Sequence, residues 1–253
     1  MRFPENIFQT ICEQLLPTAC ITCQTFQGHS VCDQCVDSLQ NNALLNYECC
    51  FQCGITLEAF EVNQEKCTSC EKNKPHFDET YCLDRYDGSL QSPLHELKYQ
   101  RRIAFAHALG SIWNIILNKE LIDIHADYLL PVPLSIEKLA QRGFNQSWEI
   151  AKQIRCAKQI QKSPYALRRH HYSGHQAGSS LSNRHLAIQG MFYVEERYIR
   201  QLQGKTVIVF DDVMTSGATL NEIARILKDN GVSRVINWVL LRATRPIERV
   251  SHV

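Results

Sequence analysis

No charged-then-apolar leader opens this chain: Met1 to Leu16 is interrupted by Glu5, Asn6, Gln9, Glu13 and Gln14. Nor does any uninterrupted apolar run reach the length needed to cross a bilayer. Together these absences argue against export and membrane insertion and for a cytoplasmic protein, in a compartment where thiols are kept reduced. Net charge is lacking too, since 27 Lys and Arg face 26 Asp and Glu, so no global field points to nucleic acid. The charge is uneven, however. Between Lys138 and Arg184 nine Lys or Arg stand against the single acid Glu149, and any polyanion site is expected there. A length of 253 residues leaves room for one large α/β domain and a small appendage.

Cysteine is what the chain has in excess: twelve in all, ten of them between Cys12 and Cys70. Eight fall into four CxxC pairs, Cys20/Cys23, Cys32/Cys35, Cys50/Cys53 and Cys67/Cys70. A CxxC turn sets two thiolates on one side, and two such turns complete the tetrahedron that Zn²⁺ requires. Four pairs therefore predict two Cys₄ zinc sites, by sequential pairing in the simplest case, with interleaved pairing open. A lone CxxC suits a thioredoxin-like redox motif, but four in succession without a βαβ context do not. Gly54, directly after Cys53, suits a knuckle in which backbone amides approach sulfur. A segment this small and polar buries little apolar surface, so metal is expected to supply most of its folding free energy, on the order of 10–16 kcal/mol per structural Zn²⁺. Cys12, Cys49, Cys82 and Cys156 are left as buried or half-buried thiols, and His29 and His76 as surface residues rather than ligands.

From about Asp78 the composition becomes that of an α/β domain, dividing the chain into a cysteine-rich segment, 1–77, and a main domain, 78–253. Thr80 to Tyr86 reads as a strand before an Asp87-Gly88 turn. Pro93 to Leu117 carries Leu94, Leu97, Ile103, Ala106, Leu109, Ile112 and Ile116 at helical spacing. Tyr128 to Val132 is a short apolar strand, and Phe144 to Ile154 returns to helical spacing. Thr206 to Phe210 is a β-branched and aromatic run of the kind buried on both faces of a sheet. A helix with Leu220, Ile223, Ala224 and Leu227 on one stripe follows and ends at Asn230-Gly231, before a strand over Val235 to Leu241. Strands separated by helices imply a mostly parallel sheet.

The chemistry concentrates in Val207 to Thr219, VIVFDDVMTSGAT: a buried strand, two carboxylates, then Thr-Ser-Gly-Ala-Thr opening a helix. Amides at a helix N-terminus, with Gly217 permitting close approach, form a phosphate site. Val213, Met214, Thr215, Ser216, Gly217, Ala218 and Thr219 make up its cradle, with hydroxyls from Thr215, Ser216 and Thr219. Asp211 and Asp212, at the carboxyl edge where ligands of open α/β sheets sit, suit the vicinal hydroxyls of a ribose. A single Asp would do as a mere helix cap; two acids followed by T-S-G-x-T are far more specific.

This run resembles, without a gap, the phosphoribosyl-pyrophosphate (PRPP) signature of type I phosphoribosyltransferases. PVPLSIEKLAQRGFNQS, Pro131 to Ser147, resembles the pyrophosphate-loop segment of the ComF (competence protein F) and GntX family, and Leu97-Lys98-Tyr99 matches its Leu-Lys-Tyr. The four CxxC pairs resemble its N-terminal double zinc ribbon, so the similarity runs from about Cys20 to Ala243. It implies a type I phosphoribosyltransferase fold with a mostly parallel central sheet, preceded by a small zinc-ribbon domain. It further implies PRPP bound with Mg²⁺. In that role Lys138 and Arg142 neutralise pyrophosphate, Pro133, Leu134 and Gly143 shape its loop, and Asn145 and Gln146 donate to it. The bland reading of Lys138 and Arg142 is a solvated helix face. Leu167 to Phe192 resembles the family's lid: Arg168, Arg169, Ser173, Gln176, Gly178, Ser180, Arg184, Gly190 and Phe192 fit, while Ser179 and Ala187 depart from the usual Leu and Asn. His170, His171, His175 and His185 in that stretch read as solvated rather than metal-binding.

Two functions follow from the resemblance. One is an enzyme moving phosphoribose to a nitrogenous acceptor, for which no nucleobase-binding segment is recognisable. The other keeps the PRPP pocket and handles single-stranded DNA during natural transformation, with a competence helicase and a recombination mediator as partners. Arg168, Arg169, Gln176 and Arg184 would then contact the DNA backbone, and Tyr172, Phe144 and Trp148 offer stacking faces, the last two with a core role as the plainer reading. The second is the favoured reading; a PRPP-sensing regulator is a third, and a homodimer is the default for such folds.

Overall fold

The computed structural model describes residues 18–117, 121, 123–170 and 190–245. Two strands of two residues, β1 (Thr18–Ala19) and β2 (Phe26–Gln27), pair antiparallel and are followed by α1 (Asp33–Asn42). A short helix, α2 (Thr68–Lys72), precedes the first strand of the main sheet, β3 (Glu79–Arg85). Where the apolar spacing ran on from Pro93 to Leu117, the chain forms two helices, α3 (Gln91–Tyr99) and α4 (Ala104–Ile116). The break falls at Arg101, whose φ is 56°, and it leaves Ile103 half exposed at 51% instead of on the buried stripe. No Gly or Pro marks the position.

The α/β alternation then continues. β4 (Tyr128–Pro131), α5 (Ile136–Arg142) and α6 (Gln146–Ala151) lead to β5 (Gln161–Lys162). β6 (Leu167–Arg169) and β7 (Phe192–Val194) pair antiparallel on either side of the lid segment, most of which lies outside the described residues. α7 (Glu196–Leu202), β8 (Thr206–Met214), α8 (Ala218–Asp229) and β9 (Arg234–Arg242) complete the order. The main sheet runs β3-β9-β8-β4-β5 and every pairing in it is parallel. Its central strand β8 is longer than the Thr206–Phe210 run: pairing with β9 continues through Asp211 and Val213 to Met214.

Alternation along β8 and β9 divides the core. Ile208, Phe210, Ile236 and Trp238 face α3, α4 and α6, where Trp113 sits edge-on to Phe210 at 5.5 Å between ring centroids. Val207, Val209, Val235 and Val239 face the stripe Leu220, Ile223, Ala224 and Leu227 of α8.

The cysteine-rich head is shared between these faces. Cys20, Ile21, Val31 and Leu39 join the core of the first face, whereas Cys50, Cys53, Cys67 and Cys70 join that of the second. The second module is stitched to the edge of the sheet. Thr80 donates its N–H to the Phe51 carbonyl at 3.0 Å and its hydroxyl to the Gln52 carbonyl at 2.6 Å, while Gln52 Nε2 donates to Phe77 O at 3.3 Å. Behind β9, Arg245 donates to the buried carboxylate of Glu61 at 2.6 Å, and Thr68 N and Oγ1 donate to it at 2.7 Å each. The bonds from Arg245, ahead of those from Thr68, outweigh the cost of burial and hold the Glu61 carboxyl down at about 2.

Candidate functional site

The eight CxxC cysteines gather in sequential pairs, Cys20, Cys23, Cys32 and Cys35 in one cluster and Cys50, Cys53, Cys67 and Cys70 in the other. Within each cluster all sulfurs lie within 4.8 Å of one another, and Cys23–Cys32 and Cys53–Cys67 are 3.7 Å apart. Four sulfurs at about 2.3 Å from a tetrahedral Zn²⁺ stand roughly 3.8 Å apart. The donor chemistry and the spacing both fit zinc, so interleaved pairing is set aside. His29 and His76 are exposed and take no part. Burial pushes the thiol of Cys82 up to about 12 and that of Cys49 up to about 11, and raises Cys156 as well, so these three are inert fillers. Cys12 lies outside the described residues.

The predicted phosphate loop bounds a small cavity, about 90 Å³, lined by Asp211 and residues 213–220. Gly217 caps the start of α8 at φ 80°, a left-handed conformation that demands glycine. Among the described residues, no acceptor takes the N–H of Thr215, Ser216, Gly217 or Thr219. Four open amides at the start of a 12-residue helix form a preorganised anion cradle.

The two acids part company at the strand end. Asp211 lines the cavity, while Asp212 turns toward α3 and α6. There it forms a buried ion pair with Lys98 of α3 and accepts from Gln146 Nε2 of α6 at 3.0 Å. Ser147 Oγ reaches both carboxylates at 3.4 Å. Burial alone would raise both groups. On Asp212 the Lys98 charge and the donated hydrogen bonds outweigh it and bring the carboxyl below the usual range. Asp211 has burial and then the charge of Asp212 against its ionisation, and it is pushed well above that range.

Arg142, in the last turn of α5, donates to Gln146 and lies over the ring of Tyr99 at 5.6 Å. It thus reaches Asp212 through Gln146. Lys138 does not join this network: its side chain is exposed, and α5 buries none of its residues. Asn145 is engaged elsewhere, capping α6 by accepting from Ser147 N at 3.0 Å and donating to Val132 O at 2.9 Å. Pro133, Leu134 and Gly143 line a different cleft of about 510 Å³, together with Trp148, Tyr165, Arg168, Arg169 and Tyr193. Phe144 is core, and Trp148 is half-buried at the cleft wall. Arg168 pairs with Glu195 at 3.5 Å over the Tyr165 ring, and Arg169 is half-buried against Phe192 and Met191. Gln176, Arg184 and Tyr172 lie outside the described residues.

Two site residues escape a reading of the loop alone, Lys98 and Arg242. The signal for Lys98 was its place in Leu-Lys-Tyr. For Arg242 it was a charge ending the strand Val235 to Leu241 that pairs with the loop strand.

The model of the phosphoribosyl transferase domain matches residues 140–252. DNA utilization protein YhgH of Escherichia coli is 26% identical over 219 residues, 85% of this chain and 92% of that protein. Competence protein F of Haemophilus influenzae is 23% identical over 231 residues, 88% of this chain and 96% of that one. Competence protein ComFC of Bacillus subtilis is 24% identical over 220 residues, 84% of each chain. These matches bear out the resemblance to the ComF family, and the parallel sheet is that of a type I phosphoribosyltransferase fold.

Proposed function

We propose that this chain, a phosphoribosyltransferase-fold protein with competence protein F relatives, binds PRPP with Mg²⁺ and serves in handling incoming single-stranded DNA in the cytoplasm. The observation that carries PRPP binding is the row of open amides closing on a cavity that ends at Asp211. In this reading the 5′-phosphate occupies the cradle of residues 215–219 and the ribose hydroxyls meet Asp211. Mg²⁺ bound with the ligand beside Asp211 and Asp212 would supply the positive charge that neutralises the pyrophosphate. Arg142 faces that end of the ligand, and Lys138, free on α5, supplies charge from the solvent side. The Lys98 ammonium, paired with Asp212, offsets part of the negative charge that a polyanion would otherwise meet. No helix among the described residues is long and apolar enough to cross a membrane. The DNA role draws on the names of the relatives, DNA utilization protein and competence protein, with a helicase and a recombination mediator as expected partners.

Titration calorimetry with PRPP and Mg²⁺ tests the pocket. Saturable binding that Gly217→Val abolishes supports it; no heat of binding to the native chain sinks it. For DNA, anisotropy of a labelled oligonucleotide should show affinity falling steeply with salt, and salt-independent binding would defeat a backbone-contact mode. The transferase alternative has one observation behind it, the aromatic cleft of about 510 Å³ with Trp148, Tyr165 and Tyr193, wide enough for a planar acceptor. That cleft shares no lining residue with the loop cavity, which favours binding over transfer. Pyrophosphate release from PRPP across a panel of nitrogenous bases would reverse the preference.

A further inference from the structure

Arg242, the last residue of β9, is 3% exposed, and its partners are backbone carbonyls rather than a carboxylate. A guanidinium does not shed its charge in a protein, and burying one is costly unless its donors are satisfied. Here Nε and one terminal nitrogen are engaged by three stretches of chain. Nε donates to Cys53 O at 2.8 Å, and one terminal nitrogen donates to Met214 O at 3.1 Å, to Ala243 O at 2.7 Å and to Thr215 O. Cys53 is a ligand of the second cysteine cluster, while Met214 and Thr215 begin the phosphate loop.

The peptide plane gives this contact its consequence. In a trans peptide the C=O and the following N–H point in opposite directions. Drawing the Met214 and Thr215 carbonyls down onto Arg242 therefore turns the Thr215 and Ser216 N–H groups away from it. These are two of the amides that find no acceptor among the described residues. Ala243 N, donating to Met214 O at 3.0 Å, fixes the first plane a second time. The other end of the strut is equally constrained. The Cys53 carbonyl belongs to a residue whose sulfur is a metal ligand, in a knuckle that Thr80 pins to β3 through the Phe51 and Gln52 carbonyls. Asn237 of β9 donates in turn to the Thr80 hydroxyl at 3.1 Å. Four thiolates around one divalent cation leave a net negative charge, and Arg242 is the buried cation on this module.

We infer that Arg242 is a positioning residue that couples the second cysteine site to the phosphate loop, so that metal held by Cys50, Cys53, Cys67 and Cys70 sets the loop amides in their anion-binding orientation. The inference rests on the reading of the loop as the PRPP site. It makes the metal part of the ligand site's geometry rather than a remote staple of the fold. Because coupling between two sites is reciprocal, ligand in the loop must also hold the metal more tightly.

The test uses the full-length zinc-loaded chain and two readouts. In Arg242→Lys, which keeps the charge but loses the fork, hydrogen exchange of the Ala243 N–H, bonded to Met214 O beside the loop, should quicken about tenfold and the Kd for PRPP with Mg²⁺ should rise by a similar factor. A folded Arg242→Lys chain with both quantities within about twofold of native overturns the inference. Should that variant fail to fold, the native chain still decides. Saturating PRPP with Mg²⁺ should slow one of the two phases of zinc release to a chelator about tenfold, and equal release with and without ligand overturns the coupling. If the native chain binds no PRPP, the pocket reading fails by itself, and exchange of the Ala243 N–H in ligand-free Arg242→Lys still tests the strut.

Discussion

At the fifth position of each cysteine knuckle the backbone turns left-handed, with Gln24 at φ 64° in the first module and Gly54 at φ 68° in the second. Each donates its N–H to the carbonyl of its first cysteine, at 2.9 Å on Cys20 and 2.7 Å on Cys50. In each module the third cysteine, Cys32 or Cys67, stands just before a helix and the fourth lies in that helix's first turn. The local plan is one; the surroundings differ. The first knuckle lies at the surface with Cys23 exposed, whereas all four cysteines of the second are buried. A Cβ on Gly54 would stand 2.6 Å from Cys82 Sγ, because the second knuckle is pressed against β3. Metal chemistry dictates the turn in both. Contact with the sheet then decides which residue the turn can hold, and it gives the second module its link to the phosphate loop.

Breaking each site in turn tests this contrast most severely. Cys67→Ser should cost on the order of 5 kcal/mol and abolish cooperative unfolding of the sheet domain, since most of the metal's folding free energy is lost beneath the loop. Cys23→Ser should lose one zinc of two and leave a cooperative urea transition for the sheet. Equal losses in the two variants, read by zinc content and urea unfolding, would erase the distinction.

A second expected effect lies on the face of the sheet that carries the first module, where Lys98 and Gln146 hold Asp212. Lys98→Met leaves a buried carboxylate without its cation and should cost about 3–5 kcal/mol at neutral pH. The sign with pH follows from the direction of the shift. Asp212 titrates below its ordinary 3.8, so its pairing stabilises the fold above that value and is lost as pH falls through the lower one. The gap between native and Lys98→Met should therefore narrow in acid; a gap that widens there would refute the pairing.

How much of this was legible follows from the range of the interactions. The cysteine pairs and the Thr215–Thr219 loop were legible because their chemistry is local: ligand spacing and a helix start are written in consecutive residues. Lys98 was marked only as part of Leu-Lys-Tyr, and Arg242 not at all, since a lysine in an amphipathic helix and an arginine at a strand end gain their roles only from what folding places opposite them. The same holds for Asp212, which sits next to Asp211 in sequence but takes Lys98 and Gln146 as its own partners. Pro133, Leu134 and Gly143, read as part of the pyrophosphate loop, line the neighbouring aromatic cleft. The division of the long helical stretch at Arg101 carried no glycine or proline to announce it.

The seam between the first module and the sheet offers a smaller effect. Asp84, at the end of β3, is 4% exposed and borders a cavity of about 310 Å³ shared with Ser38, Leu39 and Asn42. Burial, opposed only in part by the Arg85 N–H, raises its carboxyl from 3.8 to about 6. An acid raised on folding destabilises the fold as pH climbs from the unfolded value to the folded one. Asp84→Asn should thus gain on the order of 1–3 kcal/mol at pH 7 and almost nothing below pH 4. Urea midpoints of the two chains across that range give the answer, and a constant difference would show that Asp84 does not titrate between them.

The smallest effect bears most directly on the paired knuckles. Gln24 holds a left-handed conformation that costs a residue with a Cβ roughly 1–2 kcal/mol, and it lies exposed on the first knuckle. Gln24→Gly removes that strain but adds freedom to the unfolded chain, so the net gain should be about 0.5–1 kcal/mol. The mirror change, Gly54→Ala, meets both the strain and Cys82 and should cost about 2–3 kcal/mol. If the turn alone mattered, the two exchanges would be equal and opposite. An excess of about 1–2 kcal/mol on the Gly54 side is the expected measure of the second knuckle's contact with the sheet, and chelator-dependent unfolding of the two single variants reads it out.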